Sequence, residues 1–405
     1  MQFILGIISI LLAEVVRDIY HIAGHYWQPI KQFHLLHHKA YRRDFSIANL
    51  ETYKKSQLYN DVPEALCMVG LTAAIAILTQ NPGMWLGCVY SFVFLVPAVL
   101  RSQGMLLATD LSHKPGDLVE IPALWRVNRT YHWRHHFDET NAYFAGHFTS
   151  VDRVLGTSLS LKGKVVAVTG ASGALGQGLI EELSRQGAKV IAITTNPAAV
   201  FRAGTTALPW ELGAEAELLP HLQGVDILVI NHGVNVHGDR SPAAVYQSYE
   251  VNTFSTLRLT ELFLSTITKS NDRATKELWI NTSEAEVNPA FSPLYELSKR
   301  TLGDLVTLQR LDAACIIRKL VLGPFKSQLN PYGVMSASWV AMAIIFLAKR
   351  DFRDIIVTIN PITYLLFPMK ELFQSLYFRL FTKKAKISAH LMSGNVMSRL
   401  TSKVN

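Results

Sequence analysis

The chain splits by pattern. Residues 3–16, 65–78 and 84–100 are almost continuously apolar, and only residues 79–83 separate the last two runs. Those two runs predict a helical hairpin across a bilayer, which needs about twenty apolar residues per span. The first run is short for a span and predicts a tilted or half-penetrating helix, followed by Glu14, Arg17 and Asp18. Near residue 161 the character changes. Lys162-Gly163-Lys164 introduces Val165-Val166-Ala167-Val168-Thr169, an apolar strand. Further strands are predicted at 190–195, 226–231, 277–282, 315–322 and 355–359, with helices between them, notably at 241–269 and 292–312. Such alternation predicts an α/β Rossmann fold with a doubly wound parallel sheet. The expected organisation is an all-α membrane domain over 1–160, a nucleotide-binding domain over 161–360 and a tail over 361–405. The tail returns to apolar and aromatic residues and ends in Lys383, Lys384 and Lys386. It suits a basic amphipathic helix on a membrane surface, with packing against the sheet as the alternative.

Composition agrees with this split. The chain has 405 residues, 49% of them hydrophobic, enough for two domains. Its mean hydropathy of +0.19 is high for a wholly soluble chain and low for a wholly embedded one. The net charge is +8, yet no basic stripe is interleaved with aromatics, so nucleic acid is not an expected partner. The basic residues flank the apolar runs instead. Their bias predicts an integral membrane protein with both histidine-bearing connections, and hence the catalytic domains, on the cytoplasmic side and the Asn81-Pro82-Gly83 turn outside. Cys67, Cys88 and Cys315 lack metal-ligand spacing and are read as small buried hydrophobes without a disulfide.

The candidate chemistry begins with histidine. The pattern His-x-x-His-His occurs twice, at His34, His37, His38 and at His132, His135, His136, with His21 and His25 upstream of the first copy. Histidine is 14 of 405 residues, so one such pattern arises by chance in roughly one chain in fifty to a hundred. Positions i, i+3 and i+4 share a helix face, so each cluster is expected to aim its rings at one point. Eight imidazoles exceed the four ligands of a tetrahedral zinc and suit two iron ions. Asp18, Asp110, Asp138 and Glu139 are candidate partners for the outer ring nitrogens. A metal cluster between spans and a cytoplasmic cap faces hydrocarbon, which points to a lipid substrate.

Over roughly residues 1–160 the chain resembles the fatty acid hydroxylase/sterol desaturase superfamily. The resemblance rests on His21 and His25, the nine-residue step to His34, the two boxes, and the segments Asn141-Ala142-Tyr143-Phe144-Ala145-Gly146 and Val151-Asp152-Arg153-Val154-Leu155-Gly156-Thr157. It implies a non-haem di-iron centre that uses O2 to hydroxylate or desaturate a lipid: fatty acyl, sterol-like or carotenoid. It also implies His113 as an extra ligand on the helix before the last box. With no flavin or haem signature in the chain, electrons are expected from an external ferredoxin- or cytochrome-type reductase system.

The second half carries Thr169-Gly170-Ala171-Ser172-Gly173-Ala174-Leu175-Gly176 between a strand and a helix. Such a loop lets a pyrophosphate approach backbone N–H groups. Tyr295 and Lys299 are one helical turn apart. An ammonium beside a phenol lowers its pKa, which lets the tyrosine exchange a proton while hydride moves to or from nicotinamide. Ser283 would orient the substrate oxygen. Over about residues 162–360 these features resemble the short-chain dehydrogenase/reductase family. Asn231-His232-Gly233 stands where that family has Asn-Ala-Gly, and Asn252 matches the asparagine completing its Asn-Ser-Tyr-Lys set. Ala174 and Leu322-Gly323-Pro324 depart from the family pattern. The resemblance implies dinucleotide contacts from Gly170, Ser172, Gly173, Leu175, Gly176, Thr195, Asn231 and Gly233. No acid follows the second strand at Thr194, Thr195 and Asn196, which favours NADP over NAD, with Arg202 nearby.

The fusion suggests a bifunctional lipid enzyme working in sequence: oxygenation of a carbon and oxidation of the new alcohol, or reduction of a carbonyl that the first site uses. Plant wax enzymes share a similar layout, which makes aldehyde-to-alkane chemistry an alternative. A third reading makes one half a silent membrane anchor or scaffold.

Overall fold

A computed structural model describes residues 1–383; Lys384 and Lys386 of the expected basic end lie outside the described residues. Helix α1 (Gln2–Tyr26) is 25 residues long, not the short element expected from residues 3–16. Glu14, Arg17 and Asp18 do not end it, because each is buried against a partner. Glu14 pairs with Arg17 and accepts from the Tyr90 hydroxyl, and Asp18 accepts the Gly146 N–H at 2.8 Å. The hairpin forms as expected from α4 (Val62–Thr79) and α5 (Trp85–Ser102). Helix α3 (Leu50–Ser56) runs into α4 through a π-turn at Gln57–Asp61. The resulting helix, Leu50–Thr79, and the one over Pro82–Ser102 are both long and apolar enough to cross a bilayer. The first helix lies alongside them: the Gly83 N–H donates to Gln2 Oε1 and the Gly87 N–H to Ser9 Oγ. Cys67 is exposed on α4, contrary to the expected buried thiol; Cys88 and Cys315 are buried.

Between these helices and the sheet come α2 (Gln28–Lys39), α6 (Arg129–Phe137) and α7 (Ser150–Leu155). Trp133 on α6 packs with Ala40, Tyr41, Phe45, Tyr53 and Leu118, and Ala274 of the second half joins the same cluster.

The second half is a seven-stranded, all-parallel sheet in the order β3-β2-β1-β4-β5-β6-β7. Its strands are β1 (Val165–Thr169), β2 (Lys189–Thr194), β3 (Thr206–Pro209), β4 (Ile227–Ile230), β5 (Glu277–Asn281), β6 (Ile316–Leu322) and β7 (Asp354–Val357). Strand β3 went unread in the sequence because it is an edge strand with mostly exposed side chains and no apolar run. Both faces are covered. Val166 and Val168 pack under α8 (Ala174–Arg185) and α14 (Ala337–Ala348). Ala167 faces the opposite core, bounded by α9 (Leu219–Leu222), α11 (Ser255–Ser265) and α13 (Pro293–Gln309), while α10 (Pro242–Tyr249) lies against α13 and α12 (Asp272–Thr275) against α6. The helix expected at 241–269 is broken by a second π-turn, Glu250–Phe254, and ends at Ser265. The tail forms α15 (Thr363–Phe381) against α13.

The two halves meet at the amino end of the sheet. Arg134 on α6 pairs with Glu277, the first residue of β5, at 3.2 Å and donates to the Ala274 carbonyl. Arg353, just before β7, donates to the Pro122 carbonyl, and Lys164, just before β1, pairs with Asp138.

Candidate functional sites

All nine predicted histidines converge, but not as the boxes suggested. His21, His25, His34, His38 and His135 form one group, and His37, His113, His132 and His136 form a second. Each box therefore divides between the groups: His135 leaves its own box for the first, and His37 leaves its own for the second. Adjacent box positions lie about 100° apart on a helix, so two helices facing each other interleave their rings.

In the second group the Nε2 atoms of His113, His132 and His136 form a near-equilateral triangle with sides of 3.0, 3.1 and 3.2 Å. In the first, Nε2–Nε2 separations are 2.9 Å for His21–His135, 3.2 Å for His25–His135, 2.8 Å for His25–His34 and 3.0 Å for His34–His38. Burial pushes His34 and His135 down to about 3, and His38, His132 and His136 well below the ordinary imidazole value. Neutral rings then bring lone pair against lone pair, an arrangement that a shared cation relieves. Several outer nitrogens are occupied. His34 Nδ1 contacts Asn60 Oδ1 at 3.1 Å, His113 Nδ1 contacts Asp110 at 3.0 Å, His135 Nδ1 contacts the Ala142 carbonyl at 2.8 Å, and His37 Nδ1 lies 3.3 Å from Asp61. Outer partners of this kind fix the tautomer that leaves Nε2 free for a metal. The donor set fits two imidazole-bound transition-metal ions.

Of the four acids expected behind the rings, only Asp110 serves. Asp18 caps Gly146, Asp138 pairs with Lys164, and Glu139 accepts the Asn141 N–H and lies 3.8 Å from Lys162. Asn60 and Asp61, missed in the sequence, do what those acids were expected to do. His113 sits on a 3₁₀ turn, Leu111–His113, not on a helix. His147 is half-buried beside Phe148 and joins neither group.

The second site lies at the opposite, carboxyl end of the sheet, where the strand order reverses between β1 and β4. That crevice is where open α/β sheets bind ligands. Gly170 ends β1 with φ +61°, and a Cβ there would meet His232 Cα at 2.8 Å. Gly176 has no room for a Cβ either, since it would lie 2.3 Å from the Gly170 carbonyl oxygen. Ser172 and Gly173 are exposed at the helix start, where the first N–H groups of α8 lack helical partners. Leu175 turns its side chain into the core, so only its backbone is left to meet a dinucleotide. Thr195 is exposed after β2, and Arg202 lines a cleft of about 450 Å³ with Ala174 and Gln177. The cradle fits a dinucleotide pyrophosphate.

Asn252 lies on the second π-turn. Its Oδ1 accepts the Val234 N–H at 2.8 Å, and its Nδ2 donates to the Val234 carbonyl and to Ser298 Oγ, each at 3.0 Å. Gly233 packs beside it, where a Cβ would lie 3.1 Å from Asn252 Oδ1. Ser283 lies two residues beyond β5, caps the 3₁₀ turn Glu284–Glu286 by accepting the Ala285 N–H, and sits beside Tyr295. Lys299 Nζ donates to the Asn281 carbonyl at 2.9 Å, and Asn281 Nδ2 donates to Asn231 Oδ1 at 2.9 Å. Asn281 and Ser298 were missed; both are polar residues whose roles appear only when strand ends and helices meet. One expectation is corrected. Lys299 Nζ is 5.9 Å from the Tyr295 ring centre and engaged elsewhere. Burial raises the Tyr295 phenol despite the neighbouring Ser283 hydroxyl, and burial lowers Lys299 to about 8.

No family model matches the chain. A monoglucosyldiacylglycerol epimerase of a Synechocystis species is 55% identical over 400 residues, covering 94% of this chain and 98% of that protein. A short-chain dehydrogenase of Burkholderia cenocepacia, solved with NADP, is 19% identical over 56% of this chain and all of that one, with a TM-score of 0.45. An aldohexose dehydrogenase of Thermoplasma acidophilum is 18% identical over 49% of this chain and 93% of that one, with a TM-score of 0.40.

Proposed function

The chain belongs to the monoglucosyldiacylglycerol epimerase family, and from that premise we propose that it inverts a hydroxyl-bearing carbon in the sugar headgroup of a glucosyl diacylglycerol. The observation that carries this reading is the joining, at one crevice, of the glycine cradle with Ser283, Tyr295, Lys299 and Asn252. A carbinol carbon of a sugar ring bears no group acidic enough for inversion by simple deprotonation. A bound NADP or NAD would supply reversible hydride acceptance at that carbon, and inversion follows when the sugar turns its opposite face toward the cofactor before the hydride returns. Gly170, Gly173 and Gly176 would hold its pyrophosphate, with Arg202 beside the cleft. The chain's own residues handle the proton. Ser283 holds the sugar oxygen, and Tyr295 takes the hydroxyl proton and later returns it. Lys299, held by the Asn281 carbonyl, supplies positive charge behind the phenol. Asn252 keeps Val234 and Ser298 in register around the site. The cycle is redox-neutral overall, so it needs neither O2 nor an external electron donor.

The test is sugar analysis of the lipid product. The purified chain with dinucleotide should yield an epimeric hexosyl diacylglycerol. Tyr295→Phe should lower turnover by about 10²–10⁴-fold, the usual weight of a positioned proton-transfer group, while dinucleotide affinity stays unchanged. Undiminished turnover in that variant would reject the assignment.

A second reading concerns the other half. Nine imidazoles in two groups, eight of them buried and His38 partly so, favour a metal centre there, and we propose that it binds two iron ions. Iron with O2 would add oxidation of a lipid C–H bond, with electrons from a separate reductase. About two iron atoms per chain by elemental analysis supports this; none under iron-replete expression leaves a structural, membrane-anchoring half. Because this centre and the Tyr295 site lie at opposite ends of the sheet, with β5 of roughly 16 Å between them, one bound lipid carbon cannot serve both sites in turn without moving.

A further inference from the structure

Helix α15 is amphipathic the wrong way round for a soluble protein. Leu365, Met369, Leu372, Phe373, Leu376 and Leu380 fall within an arc of about 100°, and all six are exposed, Leu380 by 78% and Leu365 by 64%. The polar residues face inward. Lys370 pairs with Glu286 and Asp304, and Glu371 pairs with Lys319 and Arg310 and accepts from Thr307. Thr363 at the helix start donates to Glu284 and is held by Asn288. A surface helix of a soluble protein turns its apolar stripe to the core and its charges to water. Here ion pairs anchored on the buried Glu286 and Lys319, with Phe367 packed beneath Lys319, hold the charged face inward, so the outward stripe is built in.

The direction of α15 matters. Its start is held by Glu284 and Asn288, on the loop that follows Ser283 at the carboxyl end of the sheet. By Glu371 it has reached Arg310, whose guanidinium also holds Asp354 and the Arg353 carbonyl at the amino end. The helix thus runs antiparallel to the strands, from the Tyr295 site toward the end where the histidine half and its candidate spans attach. Its exposed Arg379 flanks the stripe, and Lys383 follows the helix.

We propose that α15 lies in the surface of the bilayer, its apolar stripe in the acyl boundary, and so seats the Tyr295 site within reach of lipid headgroups. Without it, the membrane contact would sit only at the opposite end of the sheet from that site. With it, both ends ride on one leaflet, and a glycolipid can present its sugar without leaving the membrane. The seating of a headgroup rests on the epimerase reading; the bilayer contact does not.

The test uses the full chain in nanodiscs containing a glucosyl diacylglycerol with a photoreactive acyl chain. Crosslinks are expected on residues 365–380 of the wild type and lost in Leu372→Glu with Leu376→Glu. The same double variant should lose about tenfold or more in kcat/KM on the diacyl lipid and keep its rate on water-soluble methyl glucoside and its dinucleotide affinity. Absence of crosslinks on this segment, or equal loss on both substrates, overturns the proposal. Crosslinks without wild-type turnover of either sugar would uphold the bilayer contact and reject the epimerase reading instead.

Discussion

Lys299 is the residue whose environment says most about the Tyr295 site. It is buried, bonded to one backbone carbonyl, and lowered by burial from 10.5 to about 8. A lysine acting as the positive charge behind a phenol is useful only while protonated. Its proton is held below about 8 and lost as pH rises through that value. Turnover should therefore be flat on this account up to about pH 8 and fall by up to tenfold per unit above it. Lys299→Arg keeps its charge far above that range, so whatever activity remains should lack the alkaline limb. Measuring kcat/KM from pH 6 to 10 in both proteins decides the matter: the same limb in the arginine variant would assign it to another group. Dinucleotide loop, Tyr295, Lys299 and Ser283 were all legible in the sequence, because each is fixed by local spacing along a strand, loop or helix. The direction of the Tyr295 shift was not, because spacing gives proximity along a helix but not whether water reaches the ring.

At the scale of elements, two π-turns stand out. Each inserts one residue into a continuous helix and re-aims a polar side chain inward, as such bulges often do at functional sites. One carries Asn60 and Asp61 to His34 and His37; the other carries Asn252 to Val234 and Ser298. Hydropathy gave no sign of either, since a π-turn keeps helical periodicity on both sides. The same blind spot explains why the acids named from sequence nearness, Asp18, Asp138 and Glu139, proved to be engaged elsewhere. It explains the interleaving of the boxes too: which ring joins which group depends on how α2 and α6 face one another. If Asn60 orients His34, then Asn60→Ala should weaken metal binding by about 10–100-fold, the usual weight of an outer partner, with little change in helix content. Competition with a chelator, read alongside circular dichroism, measures both. Unchanged affinity would make Asn60 a packing residue only.

For the whole molecule the question is whether the two halves are one unit, and the charges at their seam answer it. Glu277 accepts from Arg134 of the histidine half and from Arg318 of the sheet, with Arg318 also pairing with Asp351 at 2.9 Å. Arg134 and Glu277 are each at most 2% exposed and Arg318 is fully buried. Burial would raise the Glu277 carboxyl, but the guanidinium groups of Arg318 and Arg134 hold it down to about 2. A pair this deep adds little net stability when intact, yet removing one partner strands a buried charge at a cost of about 3–5 kcal/mol. That is comparable with the whole stability of a domain, about 5–15 kcal/mol. Glu277→Ala leaves two guanidinium groups without their shared carboxylate and should lower the melting temperature sharply. Arg134 directly precedes His135, so the same variant should also lose metal. Arg134→Met is expected to be milder, because Arg318 still answers Glu277. Thermal melting and metal content of both variants separate the cases. If Glu277→Ala melts like the wild type and keeps its metal, the seam is a tether between independent domains. If it fails in both measurements while Arg134→Met fails in neither, the sheet and the histidine centre fold as one body, and the Tyr295 site cannot be cut away from the histidine half without losing that body.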